Sequence, residues 1–137
     1  MLVVQYPTMP LLAVVGAHLV GQPLNHQLTD RDAVLVRTTR TAGCYRLFAL
    51  DTDPPKPGLV RVGPDAPGSG AVEVEVWELD DAGFGSFVAA VPPPLCIGTV
   101  QLADGSAVMG FLCESVAVDG APDITATGGW RAYRSGA

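Results

Sequence analysis

The clearest pattern along the chain is an alternation of apolar and mostly acidic positions over residues 71–79. Valines occupy positions 72, 74 and 76, and Glu73 and Glu75 stand between them. A period of two over this length predicts a β-strand with one buried face. Short apolar runs elsewhere predict further strands. These runs span residues 11–15, 33–37, 45–50, 59–62, 97–102 and 108–113.

Helix and turn signals separate the strands. Apolar residues recur at helical spacing over 82–90 and predict a short amphipathic helix, with Asp80 as its N-cap and three prolines after its end. One further helical turn is predicted over 24–28. The Asp-Gly pair within 103–106 predicts a hairpin turn, and the proline-rich segment 53–58 predicts a stiff loop.

This order of elements indicates an α+β domain with a strongly curved, barrel-like sheet and short helices. The sequence shows no internal repeat and no linker between domains, so residues 1–137 are interpreted as one domain. Residues 1–10 are interpreted as a leader segment. The aromatic side chains of Trp130 and Tyr133 need burial, which predicts an ordered tail up to Tyr133.

Composition narrows the possible partners. Charged residues make up 16% of the chain and the formal net charge is −6, so neither nucleic acid nor an anionic membrane surface is an expected partner. A charged fraction this low, against about 25% in a typical domain, suggests that a partner or a second copy covers part of the surface. We therefore expect either a homodimer or an assembly with another protein. Any anionic ligand must be held by a local site, because the overall field repels it.

The cysteines and the N-terminus indicate the compartment. Cys44, Cys96 and Cys113 lack the spacing of a metal site, and we expect reduced thiols, no metal and no cofactor. The N-terminal segment 1–15 is apolar, but it has no basic start and no cleavage pattern of a signal peptide. A cytoplasmic protein is expected.

The best candidate site is the loop that follows the first predicted strand. Residues 16–25 carry two glycines, a proline, an asparagine and His18. Such a loop at the carboxyl end of a strand presents backbone amides that favour an anion, together with one imidazole. An ordinary corner between a strand and a loop is the alternative interpretation, and it stays open here.

Four further side chains could line the same cavity. Glu73 and Glu75 share one strand face, which either lines a cavity or is exposed to solvent. Tyr45 and Arg46 follow an arginine-rich stretch, and an arginine fork suits a carboxylate. A solvent-exposed arginine on a strand is the equally open alternative.

Several segments resemble the C-terminal domain of allophanate hydrolase. The match runs in order through nearly the whole chain. Its segments are 16–28 (GAHLVGQPLNHQL), 39–47 (TRTAGCYRL), 55–59 (PKPGL), 74–79 (VEVWEL), 94–100 (PLCIGTV), 110–114 (GFLCE) and 123–133 (DITATGGWRAY). The resemblance implies a gamma-glutamylcyclotransferase-like fold, which is a small mixed β-barrel with flanking short helices.

The resemblance also implies a chemistry. In allophanate hydrolases this domain is implicated in decarboxylating the N-carboxycarbamate that the amidase domain leaves, and His18 matches a histidine important for that step. We therefore expect His18 to be catalytic and a small urea-derived or dicarboxylate-like anion to be the ligand. The expected substrate-binding residues are Gly16, Ala17, Leu19, Asn25, Tyr45, Arg46 and Glu75.

The chain differs from related proteins in two ways that bear on its expected activity. The chain has no room for the Ser–Ser–Lys amidase domain, so we expect it to act with a separately encoded amidase. Cyclotransferases carry a catalytic glutamate where residues 88–92 of this chain have no acid, which disfavours gamma-glutamyl cyclotransfer. A non-catalytic module that assembles or regulates an amidase is the remaining alternative.

Overall fold

The computed structural model describes residues 9–136, in which a curved sheet carries short helices at its ends and edges. The strands are β1 (Leu11–Val14), β2 (Val34–Arg40), β3 (Tyr45–Leu50), β4 (Lys56–Arg61), β5 (Glu73–Glu78), β6 (Leu95–Gln101) and β7 (Ala107–Cys113). The helices are α1 (His26–Thr29), α2 (Asp81–Ala89) and α3 (Trp130–Arg134). Single 3₁₀ turns lie at Ser115–Val118 and Thr125–Thr127. Most of the leader segment predicted for residues 1–10 lies outside the described residues.

Five strands form the main sheet in the order β2-β5-β1-β7-β6. The β1 and β7 strands are parallel, and the other neighbouring pairs are antiparallel. The β3 and β4 strands pair separately as a two-stranded sheet. The edge strands of the main sheet approach each other at one end only, where Thr41 bridges Leu102 and the Ala103 amide donates to Arg40 O at 3.0 Å. The predicted α+β class is confirmed, while within residues 9–136 the sheet is strongly curved without closing into a barrel.

The structure confirms the predicted helix and places most strands within a few residues of their predicted bounds. The Asp80 carboxylate accepts a hydrogen bond from the Gly83 amide at 2.6 Å, which satisfies one of the free donors at the start of α2. One prediction was wrong. Residues 56–58 belong to strand β4 rather than to a stiff loop. A proline has no N–H group to donate, but a strand tolerates it at an unpaired edge. The outer edge of β4 is unpaired, and on its other edge Pro57 lies across from Ala49 of β3.

The β5 strand is buried on both faces. Val72, Val74 and Val76 are at most 1% exposed, as the alternation predicts. Glu75 and Trp77 on the opposite face are only 2% and 4% exposed. Of the two interpretations of the acidic face, exposure to solvent is therefore wrong for Glu75, because β5 is an interior strand of the sheet and its second face is covered.

A close backbone contact fixes where β4 starts relative to β1. A Cβ atom on Gly16 would overlap the ring of Pro57, so only glycine allows the loop after β1 to lie against the first residues of β4. This contact places Lys56, the residue before Pro57, beside the loop.

We expect Gly16→Ala to destabilise the fold, because the Pro57 ring cannot rotate away from the added methyl group. Overpacking of this kind costs about 1–3 kcal/mol. Chemical denaturation measures the loss. Gly43→Ala is the matched control, since a Cβ there meets no atom within 4 Å. An unchanged unfolding midpoint for Gly16→Ala would show that the contact is loose.

No helix within residues 9–136 has both the length and the apolar character that crossing a bilayer requires.

Candidate functional site

A cavity of about 240 Å³ opens beside the loop that follows β1. Side chains from the loop, from the end of α2 and from the β3–β4 connection form its walls. The lining residues are His18, Leu24, Gln27, Asp53, Pro54, Lys56, Phe87, Ala90, Val91, Pro92, Leu95 and Phe111. Eight of the twelve lining residues are apolar, and the four polar ones include His18 and Lys56, which are buried; a few polar groups among apolar residues are typical of small-molecule sites.

His18 is held in a fixed orientation at the inner wall. Its ring stacks on Phe111 with the ring centroids 4.9 Å apart. It packs edge-to-face with Phe87, with those centroids 5.1 Å apart. Its Nε2 atom lies 2.8 Å from Oε1 of Gln27. Only 7% of the residue is exposed. Three neighbours therefore fix the ring plane, and the imidazole cannot reorient without disrupting the aromatic cluster.

Burial sets the protonation state of His18. The pKa of His18 is lowered from 6.5 to about 4, mainly because burial removes water from the charged form. The hydrogen bond to Gln27 raises this pKa, whereas the positive charge of Lys56 lowers it. The ring is neutral at neutral pH. With Nε2–H donating to Gln27, Nδ1 is left as an acceptor, and no donor within residues 9–136 pairs with it.

The lowered pKa predicts a pH-dependent stability. Between pH 6.5 and about pH 4 the unfolded chain binds a proton at His18 that the native state excludes. Stability should therefore fall as the pH decreases through this window, by up to about 3 kcal/mol. Denaturation of the wild type and of His18→Phe at a series of pH values measures the difference. A wild-type-minus-variant curve that is flat from pH 4 to pH 6.5 would contradict the burial of a neutral ring.

Lys56 is the cation of the cavity. It is the only lysine of the chain, and 8% of it is exposed. Within residues 9–136 no carboxylate forms an ion pair with it. Asp53, at the cavity mouth, is exposed to solvent. Lys56 therefore brings a positive charge without a counter-ion to the cavity wall, which suits an anionic ligand.

The loop amides provide a second set of donors. Gly16 and Ala17 line a narrow crevice that shares His18, Lys56 and Phe111 with the main cavity. The Leu19 amide is occupied, since it donates to Gly16 O at 3.0 Å. No acceptor within residues 9–136 pairs with the amides of Ala17 and His18. The Gly16 amide is likewise without an acceptor within these residues, so three of the four amides from 16 to 19 are free donors.

Asn25 and Leu19 support the loop from outside the cavity. The Asn25 side chain donates to the carbonyl oxygen of His18 at 2.8 Å, so it fixes the backbone that carries the imidazole. Leu19 is fully buried in the hydrophobic core. Neither residue lines the cavity, so the structure gives both a supporting position.

Tyr45 and Arg46 lie away from the cavity. Tyr45 is fully buried and its hydroxyl oxygen accepts a hydrogen bond from the Gln101 amide at 2.9 Å. The Arg46 guanidinium donates to Pro67 O in the loop before β5. The expectation that they reach the His18 cavity is wrong, because β3 pairs with β4 and directs both side chains to other parts of the fold.

Glu75 is also outside the cavity and is fully engaged. Its Oε1 accepts from the Val20 amide at 2.9 Å and from Trp77 Nε1 at 3.2 Å. Its Oε2 accepts from Arg131 Nη2 at 2.7 Å, while Arg131 Nη1 donates to Glu73 at 2.9 Å. Arg131 Nη2 donates to Val20 O as well, at 2.8 Å. The Glu75–Arg131 pair therefore clamps both backbone groups of Val20.

Sequence reasoning missed Gln27, Lys56, Phe87 and Phe111 as cavity residues. The signal for Lys56 was its place as a single lysine in an otherwise apolar segment. At the end of α2 the cavity wall consists of Ala90, Val91 and Pro92, which carry no acid. No three His, Cys, Asp or Glu side chains of residues 9–136 group closely enough to hold a metal ion.

Comparison with known proteins identifies the family. The model of the allophanate hydrolase C-terminal domain matches residues 10–135. The chain is 47% identical to a urea amidolyase of Saccharomyces cerevisiae over 126 residues, which cover 89% of this chain and 7% of that protein. The structure of Kluyveromyces lactis allophanate hydrolase superposes with a TM-score of 0.87 at 40% identity, over 93% of this chain and 21% of that one.

Another solved structure resembles the chain over its whole length. A uropathogenic E. coli-specific protein superposes with a TM-score of 0.84 at 37% identity, covering 94% of this chain and 98% of that one. The chain thus spans a small part of the urea amidolyase and allophanate hydrolase that it matches, and nearly all of the bacterial protein. Since the family model covers almost every described residue, this chain belongs to the allophanate hydrolase C-terminal domain family.

Proposed function

We propose that this chain binds a small urea-derived dianion in the His18 cavity and decarboxylates the N-carboxycarbamate that an amidase produces. The observation that carries the proposal is Lys56, a largely buried residue that lines the same cavity as His18 and forms no ion pair with a carboxylate of residues 9–136. A cation on the cavity wall without a counter-ion suits an anionic ligand.

The residues that line the cavity suit such a substrate. Lys56 and the free amides of Ala17 and His18 offer donors to one carboxylate. Phe111, Leu95 and other apolar side chains also line the cavity. A carboxylate placed against these apolar side chains loses its hydration, which favours departure as uncharged CO₂.

His18 is suited to accept a hydrogen bond rather than to act as an acid. Since its pKa is lowered to about 4, almost no imidazolium is present at neutral pH to protonate the substrate nitrogen. The free Nδ1 lone pair can accept the N–H of N-carboxycarbamate, which would fix the nitrogen between the two carboxylates. We therefore assign His18 to orientation of the nitrogen.

A coupled assay tests the proposal. Allophanate and an amidase that lacks this domain generate N-carboxycarbamate in place, and CO₂ release is followed with and without the chain. We expect the chain to accelerate release, and malonate, a stable dicarboxylate, to inhibit it competitively. No acceleration at any concentration of the chain would contradict the proposed activity.

An assembly module is the second candidate, and strand β2 favours it. This strand is an edge of the main sheet, and Val34, Leu35 and Val36 are 60%, 38% and 49% exposed. Exposed apolar edge strands are ready to pair with another chain. Light scattering of the chain alone and mixed with an amidase separates self-association from assembly. A Val36→Glu variant should abolish whichever complex forms while leaving malonate binding intact.

A further inference from the structure

The cavity raises the question of which group supplies a proton when CO₂ leaves. Breaking the C–N bond of N-carboxycarbamate leaves an electron pair on nitrogen, and that nitrogen must gain a proton to become carbamate. His18 is buried between Phe87 and Phe111, with its Nε2–H committed to Gln27. Asp53 is a solvent-exposed carboxylate at the mouth. Neither of these groups is suited to protonate the nitrogen.

We propose that Lys56 is the proton donor of the decarboxylation, an inference that rests on the proposed function. Its side chain lines the same cavity as the His18 ring, and no carboxylate of residues 9–136 forms an ion pair with it. The Gly16–Pro57 contact anchors the start of β4 against the loop, so the position of Lys56 is fixed relative to the anion-binding amides. General acids of this kind must lie within hydrogen-bond reach of the atom they protonate.

The step balances in atoms and charge. The C–N bond of the substrate dianion breaks, its electron pair moves to nitrogen, and one carboxylate leaves as CO₂. One N–H bond of the Lys56 ammonium transfers its proton to that nitrogen, which gives carbamate with one negative charge and a neutral lysine amine. Water at the open mouth of the cavity then reprotonates the amine. No oxidant, reductant or further reactant is needed.

Lys56→Arg separates charge from acidity. Arginine keeps the positive charge but is effectively never deprotonated. We expect malonate affinity, measured by calorimetry, to change by less than about 10-fold, whereas kcat for CO₂ release in the coupled assay falls by about 10²-fold or more. Arg61→Met, which removes a cation from the far end of the same strand, is the control and should behave as wild type. Wild-type kcat for Lys56→Arg would overturn the inference.

Chemical rescue keeps the test decisive if arginine does not fit. Lys56→Ala leaves room for a small added cation. We expect methylammonium to restore at least about 10-fold of the lost rate, and tetramethylammonium, which has the same charge but no transferable proton, to restore none. Equal rescue by both cations would reduce Lys56 to an electrostatic anchor and overturn the inference. A wild-type chain that fails to accelerate CO₂ release would instead refute the proposed function itself, so the two failures are distinguishable.

Discussion

His18→Phe should decrease CO₂ release in the coupled assay by about 10²-fold while leaving the fold intact. Phenylalanine preserves the stack between Phe87 and Phe111, whose rings lie at 5.1 and 4.9 Å from that of His18. It removes the Nδ1 acceptor that we assign to the substrate N–H. The loss should therefore be in kcat, with malonate binding changed by only a few-fold.

Two further variants make this expectation specific. His26→Gln removes the second histidine of the chain, which is exposed and contacts only Pro23 O through its ring, and it should retain wild-type activity. His18→Ala removes both the acceptor and the aromatic packing, so it should lose both activity and stability. If His18→Phe releases CO₂ at the wild-type rate, His18 has a packing role only.

The hydrophobic pattern was sufficient to predict most of the sheet. The valines of β5 alternate because that strand really has a core-facing side, and the Asp-Gly turn at 104–105 connects β6 and β7 as predicted. Local signals of this kind depend on a few neighbouring residues, so they predict an element correctly without knowledge of the tertiary contacts. The loop at 16–25 was predicted as a site from its own residues and its place after β1, and its His18 and Leu24 line the cavity.

Lys56 escaped prediction for a physical reason. Prolines on both sides of it are typical of a loop, and a lysine there is normally exposed to solvent. Its burial depends on the contact between Gly16 and Pro57, two residues 41 positions apart in sequence. No periodicity reports such a contact. The lysine could only be placed in the cavity once the strand β4 had been packed against the loop.

Glu75 fits neither of the two interpretations of its strand face, which were cavity lining and exposure to solvent. The structure covers that face with Val20 and with Arg131 of α3. The short helix α3 has no strong periodic signal in its five residues. Its Arg131 lies 56 positions from Glu75 in sequence. The hydrophobic pattern around Glu75 therefore could not predict the partner that allows this carboxylate to be buried.

Arg131→Met should therefore destabilise the fold strongly. Its side chain is about one third exposed, whereas that of Glu75 is 3% exposed. Removing the arginine leaves a buried carboxylate without its cation and Val20 O without its donor. Losing one partner of a buried pair costs about 3–5 kcal/mol, and the partial exposure of Arg131 places the expected loss near about 3 kcal/mol. Urea denaturation measures it directly.

A double-mutant cycle attributes this loss to the buried charge. Glu75→Gln removes the charge, so Arg131→Met in that background should cost clearly less than in the wild type, with a coupling energy of about 1–3 kcal/mol. Arg134→Met is the matched control on the same helix, since this exposed arginine only covers the Trp130 ring at 5.5 Å and should cost less than about 1 kcal/mol. Because the clamp holds Val20, two residues after His18, Arg131→Met should also weaken malonate binding. Equal costs for Arg131→Met in both backgrounds would mean that the arginine stabilises α3 by packing alone and that the loop holds its shape without the clamp.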